Sequence, residues 1–287
     1  MKKLTPYILL IPQMIIGAVF LAGLGTGIVQ SLGVIPAFGM TKFTTQYYRE
    51  VLQDPNLIAA VKYSLFTSFL SAFIACAGGT LICALLVSRK KTAGPVMRIV
   101  QLPIIVPHLV VALFIVNIFS QNGILARIGA ALGLLRDQSE FPLLIYAPHG
   151  FGVILAYVWK ALPFVIYFVM ALMANINGKL GEAAVNLGAS RRTAFLRVTL
   201  PLCMKSILTA FLIIYVFSLG AYEMPFILGA TKPKALPVLA YVAFQNPDLR
   251  TRPRAMAVNG IIIFLSLLAV LVYHLLIMGL RRKGERA

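Results

Sequence analysis

Eight acids, three histidines and three cysteines are the side chains of this 287-residue chain best suited to ligate a metal or act as acid, base or nucleophile. They do not cluster. The acids are scattered over different segments with no carboxylate pair at helical spacing, and His108, His149 and His274 sit in three separate regions. A metal site needs several such ligands to converge, so no metal is expected. Neither GxSxG nor HExxH occurs. Gly178-Lys179 is followed by Leu180 and lacks the upstream glycine spacing of a phosphate-binding loop. Any ATP-driven work must therefore be powered by another polypeptide, which would carry the nucleotide and its magnesium. Cys76, Cys83 and Cys203 show no CxxC spacing and read as small apolar packing residues. The chain reads as neither an enzyme nor a cofactor carrier.

What remains is a set of polar residues stranded in apolar sequence, where their cost makes each a functional candidate. Lys160, beside Trp159, lies about seventeen residues into a long apolar stretch; alternatively the span begins near Gly150 and the ammonium lies close to the outer interface. Tyr222 and Glu223 come late in another stretch, where Pro225 also fits an outer helix end. Asn117 and Asn259 fit either a polar path through the apolar layer or interhelical hydrogen bonds. Pro103 and Pro107 can break their span and free backbone groups for a cavity.

The elements that must position these residues follow from composition. Hydrophobic residues make up 60% of the chain and charged ones 12%, and a soluble domain carries about twice that charged share. Soluble enzymes, disordered chains and disulfide-built secreted domains are excluded. Six apolar stretches reach the roughly 20 residues a crossing needs: 7–32, 63–88, 99–119, 143–173, 206–228 and 255–280. They are continuous, unlike the alternating segments of a barrel. The first is too long for the apolar core of a signal peptide and is expected to remain a membrane helix. The net charge of +18 sorts by side: with the N-terminus inside, 15 basic and two acidic residues fall on inner segments, against ten and six outside. The positive-inside rule then puts both termini in the cytoplasm and removes any need for a nucleic-acid partner.

One inner segment is too polar for the bilayer and too patterned for a linker. It reads GKLGEAAVNLGASRRTAFLRVTLPLCMKS from Gly178 to Ser206. Glu182-Ala183-Ala184 begins a helix with its acid at the favourable end of the dipole. Gly188 breaks it, Ser190 caps a second short helix from Arg191 to Val198, and Pro201 ends that helix. Arg191, Arg192 and Arg197 are displayed. Such a helix-turn-helix fits a basic surface resting on anionic lipid, and it equally fits a docking element for a cytosolic partner.

The spacing of Glu182, Ala183, Ala184, Gly188, Val198, Leu200 and Pro201 resembles the EAA loop of binding-protein-dependent type I ABC importer permeases. The family usually has Ile where Val198 stands. The resemblance covers about 57–274. It implies an all-α fold of six membrane helices, with 1–56 as an N-terminal helix and outer loop, 57–280 as the permease domain and 281–287 as a basic tail. In that family the loop is a coupling helix seated on the ATP-binding subunit, so 178–201 would dock there, with Arg191 and Arg192 facing acidic groups. The partners implied are two ATP-binding subunits, a second and related permease, an extracytoplasmic substrate-binding protein and the lipid bilayer of a prokaryotic inner membrane. The segment 217–249, with Gly220, Tyr222, Glu223, Pro225, Leu228 and Gly229, looks like polyamine-type permeases and their ferric iron, thiamine and phosphonate relatives. Glu223 would suit a polyamine electrostatically and Lys160 would oppose it. A permease for another solute such as a sugar, and an ion-coupled secondary carrier, are the alternatives, although neither inverted repeats nor relay acids are visible.

Overall fold

The computed structural model describes residues 5–89 and 91–284, with side chains inside 9–279. Lys2, Lys3, Lys90, Glu285 and Arg286, used above to sort charge, lie outside the described residues, as do the side chains of Arg281, Arg282 and Lys283. Among the described residues all regular structure is helical, apart from an isolated bridge between Ile35 and Met40. The helices α1 (Thr5–Ser31) and α2 (Gln46–Leu52) precede α3 (Pro55–Ser88). Next come α4 (Pro95–Ile105), α5 (His108–Phe119), α6 (Ile124–Ala131) and α7 (Phe151–Ile176). The loop holds α8 (Glu182–Asn186) and α9 (Arg191–Ala194) before α10 (Leu200–Gly220). The chain closes with α11 (Glu223–Leu228), α12 (Leu236–Phe244) and α13 (Arg252–Gly284). Among the described residues, six helical segments are long and apolar enough to cross a membrane, matching the expected count and the all-α class.

Two compact units divide the chain. One takes residues up to Ile58 together with Leu236–Phe264. In it Ser31 and Tyr48 share a hydrogen bond of 2.8 Å, Gly260 lies against the Tyr48 ring, and Arg254 pairs with Asp54 at 2.8 Å. The α1 span has no buried residue in its most apolar window, and most of its surface is left for lipid or another chain, Gly27 lying close to Met256 Sδ.

The other unit spans Ala59–Ala235 and the end of α13. Its larger core joins α3, α7 and α10 through Ala72, Ala75, Cys83, Val169, Met173 and Ala210. Small residues bring the backbones close, as membrane packing requires: a Cβ added at Gly79 would sit 2.7 Å from Val165 Cβ. All three cysteines are buried and free. A second cluster joins α5, α7 and α11 around Val111, Ile145, Ala156 and Leu228.

Element ends depart from the sequence reading in several places, and the fifth stretch is not one helix to 228: α10 stops at Gly220 and Glu223–Leu228 is a separate helix. The third stretch is two helices, a break that Pro103 and Pro107 made possible: Pro107 has no N–H and disfavours helical geometry at Val106, which turns extended. The fourth begins at Phe151, not Leu143: Pro142 and Pro148 keep 142–149 irregular and Gly150 turns with φ +69°. A further correction concerns the loop. The helical run 151–186 is unbroken, passing from α7 into α8 through a π turn at Asn177–Gly181, so Glu182 does not sit at a free helix start. Nor does Pro201 end a helix: α9, a π turn at Phe195–Thr199 and α10 are continuous from 191 to 220. The widened turn gives room for a proline whose ring would otherwise press on the carbonyl four residues back.

Candidate functional site

The loop between α7 and α10 is a tight reversal between two long helices. Gly188, at φ +93°, closes α8: its N–H reaches Val185 O at 2.9 Å, and Ala189 N–H reaches Ala184 O at 3.1 Å. This is the paired bonding of a Schellman cap, which needs a left-handed residue there. Ser190 then caps α9, its Oγ accepting from Thr193 N–H at 3.1 Å. The two π turns meet around buried Gly181, where an added Cβ would lie 3.0 Å from Asn177 Oδ1 and 3.4 Å from Thr199 Oγ1.

These bonds present a specific surface. Glu182, Ala183, Arg191, Arg192 and Pro201 are exposed; Ala184, Val198 and Leu200 are half-buried. Glu182 makes no ion pair among the described residues. Leu187, which the sequence reading passed over, is 89% exposed at the turn's tip. The cap bonds hold this apolar side chain out in solvent. Its signal was in the sequence: it is the only leucine between the EAA triplet and the turn glycine.

Of the membrane candidates, the structure brings Lys160 and Glu223 into one neighbourhood. Lys160 Nζ donates to Pro103 O at 2.6 Å and to Val106 O at 2.8 Å. Those carbonyls are freed by the break at Pro107, so the cation caps the C-terminus of α4. The helix start at Phe151 is the one the interfacial alternative for Lys160 required, and the two carbonyls add a tertiary anchor for the ammonium. His108, first residue of α5, lies within electrostatic reach of both Lys160 and Glu223, and its ring is 6.0 Å from that of Phe217. His108 was discounted for lacking other histidines; its place directly after Pro107 was the available signal. Tyr157 OH donates to Ala221 O at 3.2 Å and fixes the turn before α11. Tyr222 stacks obliquely near Phe226 at 6.2 Å, and Trp159 is partly exposed beside Lys160. Asn117 does not bridge helices: its amide donates to Leu113 O in its own helix at 2.8 Å. Asn259 is exposed on α13 in the other unit.

The family model described as "Binding-protein-dependent transport system inner membrane component" matches residues 76–282. The chain belongs to that family. It is a permease subunit of an ABC importer, a transport component and not an enzyme. The sulfate transport system permease protein CysT of Escherichia coli (strain K12) is 27% identical over 226 residues, covering 77% of this chain and 76% of that protein. The molybdate/tungstate transport system permease protein WtpB of Thermococcus kodakarensis is 30% identical over 209 residues, covering 72% and 74%. A crystal structure of a bacterial ABC transporter that imports the acidic polysaccharide alginate superposes with a TM-score of 0.76 over 98% of this chain and 96% of that one; at 21% identity it shows the fold alone. The polyamine likeness read from 217–249 finds no support in these relatives, whose names carry oxyanions. Its electrostatic argument rested on Glu223 alone, and Lys160 stands in the same neighbourhood.

Proposed function

We propose that this permease carries a small tetrahedral oxyanion of the sulfate, molybdate or tungstate kind. The observation that supports it most is sequence likeness to sulfate and molybdate/tungstate permeases over about three quarters of their length. A cation fixed on a spanning helix is compatible with an anion and unfavourable for a polyamine. The chain works beside a second permease, a related chain more readily than a copy of itself, with both termini cytoplasmic. An extracytoplasmic binding protein delivers the solute. Two ATP-binding subunits, which hold the ATP and magnesium, drive alternating access. The permease domain is taken as 57–280 and the coupling element as 178–201, with Glu182, Ala183, Ala184 and Gly188 shaping the docking helix and Leu187 as its apolar anchor. No comparable observation favours a sugar or an ion-gradient carrier.

The test is uptake. The assembled transporter is reconstituted with its binding protein in ATP-loaded vesicles and offered labelled sulfate, molybdate and putrescine. ATP-dependent accumulation of an oxyanion, unaffected by an ionophore, is expected. Putrescine uptake without oxyanion uptake overturns the solute assignment.

A further inference from the structure

The end of α3 and the coupling loop line a half-open cavity of about 700 Å3, to which the transport cycle described above assigns no ligand. That volume lies within the range of small-molecule sites. Its rim is basic: Arg89 from α3 and Arg191 and Arg192 from α9 line it, against one acid, Glu182. None of these side chains forms an ion pair among the described residues. Thr199 also lines the cavity; it is fully buried, and its hydroxyl has no hydrogen-bond partner. An unpaired buried hydroxyl is expensive, and a group in that state calls for a partner such as a water, an ion or a ligand. The wall behind the rim is apolar, formed by Leu81, Ala84 and Leu85 on one face of α3 and by Met173 and Phe195 opposite.

We propose that this cavity binds a phosphate-type oxyanion on Arg89, Arg191 and Arg192, carried by an anionic phospholipid whose acyl chain lies along the α3 wall. Guanidinium forks match the oxygens of a phosphodiester in pairs, which a single lysine cannot do. Basic pockets between spanning helices on the cytoplasmic side are where acidic headgroups collect. The charge bias puts this end of α3 on that side. The apolar wall, on which Leu81 and Leu85 are exposed, offers an acyl chain a contact that a free oxyanion cannot use. Arg191 and Arg192 thus face the cavity, leaving Leu187, which does not line it, for the ATP-binding subunit. Occupancy would tie the two strands of the loop to α3 and stiffen the reversal. The inference does not depend on which solute is carried.

The full chain is purified in mild detergent, delipidated and titrated with phosphatidylglycerol or phosphatidylcholine, with bound lipid counted by native mass spectrometry. Inorganic phosphate is titrated in parallel by calorimetry. One tightly held phosphatidylglycerol per chain is expected, at least tenfold tighter than phosphatidylcholine. That preference falls tenfold or more in the double variant Arg191→Gln/Arg192→Gln, and less in Thr199→Val. Both arginines are exposed, so the double variant keeps the wild-type melting temperature, which separates loss of a site from loss of fold. Arginine-dependent binding of inorganic phosphate without lipid retention upholds the oxyanion site but overturns its lipid source. Equal phosphatidylglycerol binding by wild type and double variant, with no phosphate binding, overturns the proposal.

Discussion

Replacing Lys160 by Met removes an ammonium that closes the gap in the third apolar stretch while keeping a side chain of similar length. Two carbonyls, Pro103 O and Val106 O, lose donors at 2.6 and 2.8 Å. A hydrogen bond to a charged group contributes about 1.5–3 kcal/mol in soluble proteins. Measured interhelical bonds in membranes average only about 0.6 kcal/mol, because the unfolded chain finds other partners there. Here the alternatives are few, since Pro107 has no N–H to offer. Removing the charge also recovers some desolvation cost. Weighing these, the variant is expected to lose about 2–4 kcal/mol, or about 5–10 °C in melting temperature for a chain of this size. Lys160→Arg keeps the charge and should recover part of the loss. The assay is built in: Trp159 is the only tryptophan and adjoins the residue changed, so its fluorescence reports the local transition. A Lys160→Met protein that melts with the wild type, with unaltered Trp159 emission, would refute the capping argument.

Leu187→Asp is expected to weaken co-purification with the ATP-binding subunit tenfold or more while leaving the melting temperature unchanged; unaltered assembly counts against an apolar anchor. Gly188→Val forces a branched side chain into φ +93° where no neighbour lies within 4 Å, so its cost of about 1–2 kcal/mol is purely conformational and should show as lost ATPase stimulation. Gly79→Ala gains about 1 kcal/mol of helix propensity but puts a methyl 2.7 Å from Val165 Cβ, and the overpacking of about 1–3 kcal/mol should win; a higher melting temperature would show that α3 and α7 can separate freely. The Asn56 N–H, and after it Arg254, hold the Asp54 carboxyl below its ordinary value of 3.8. A depressed carboxyl stabilises the fold above that value and stops doing so as pH falls through it and then through the lowered one. Asp54→Asn should therefore cost less than about 1 kcal/mol at pH 7, Arg254 being half exposed, and progressively less as the pH falls below 3.8; a gap between the two proteins that does not shrink on acidification would be inconsistent with this pair.

The six spans and the reversal at Gly188 were legible because apolar length and glycine stereochemistry are local properties. The capping serine was local too, and Ser190 sits where the spacing put it. The break after α4 was half legible. Pro103 and Pro107 announced it, but the residue that satisfies the freed carbonyls is 54 and 57 positions away, and no periodicity links Lys160 to them. Pro201 misled for a related reason. A proline is read as a stop when the helix before it is assumed to be α, and the π turn that accommodates it is set by tertiary packing around Gly181 and Thr199. The oxyanion assignment had no local signature at all, since neither Lys160 nor Glu223 sits in a motif that names a solute.

Each arm of the loop holds five residues, Asn177–Gly181 and Phe195–Thr199, in a wider turn. Five residues wound this way sweep roughly the angle that four sweep in an α-helix. Each arm therefore carries one surplus residue without rotating what lies beyond it. Deleting Lys179 should tighten the first arm to α geometry and leave Leu187 pointing as before, with ATPase stimulation kept. A deletion three turns earlier in α7 has no slack to consume and should swing the tip by about 100° and silence it. The heading of the contact point is thus a matter of residue count, with a tolerance of one on either side.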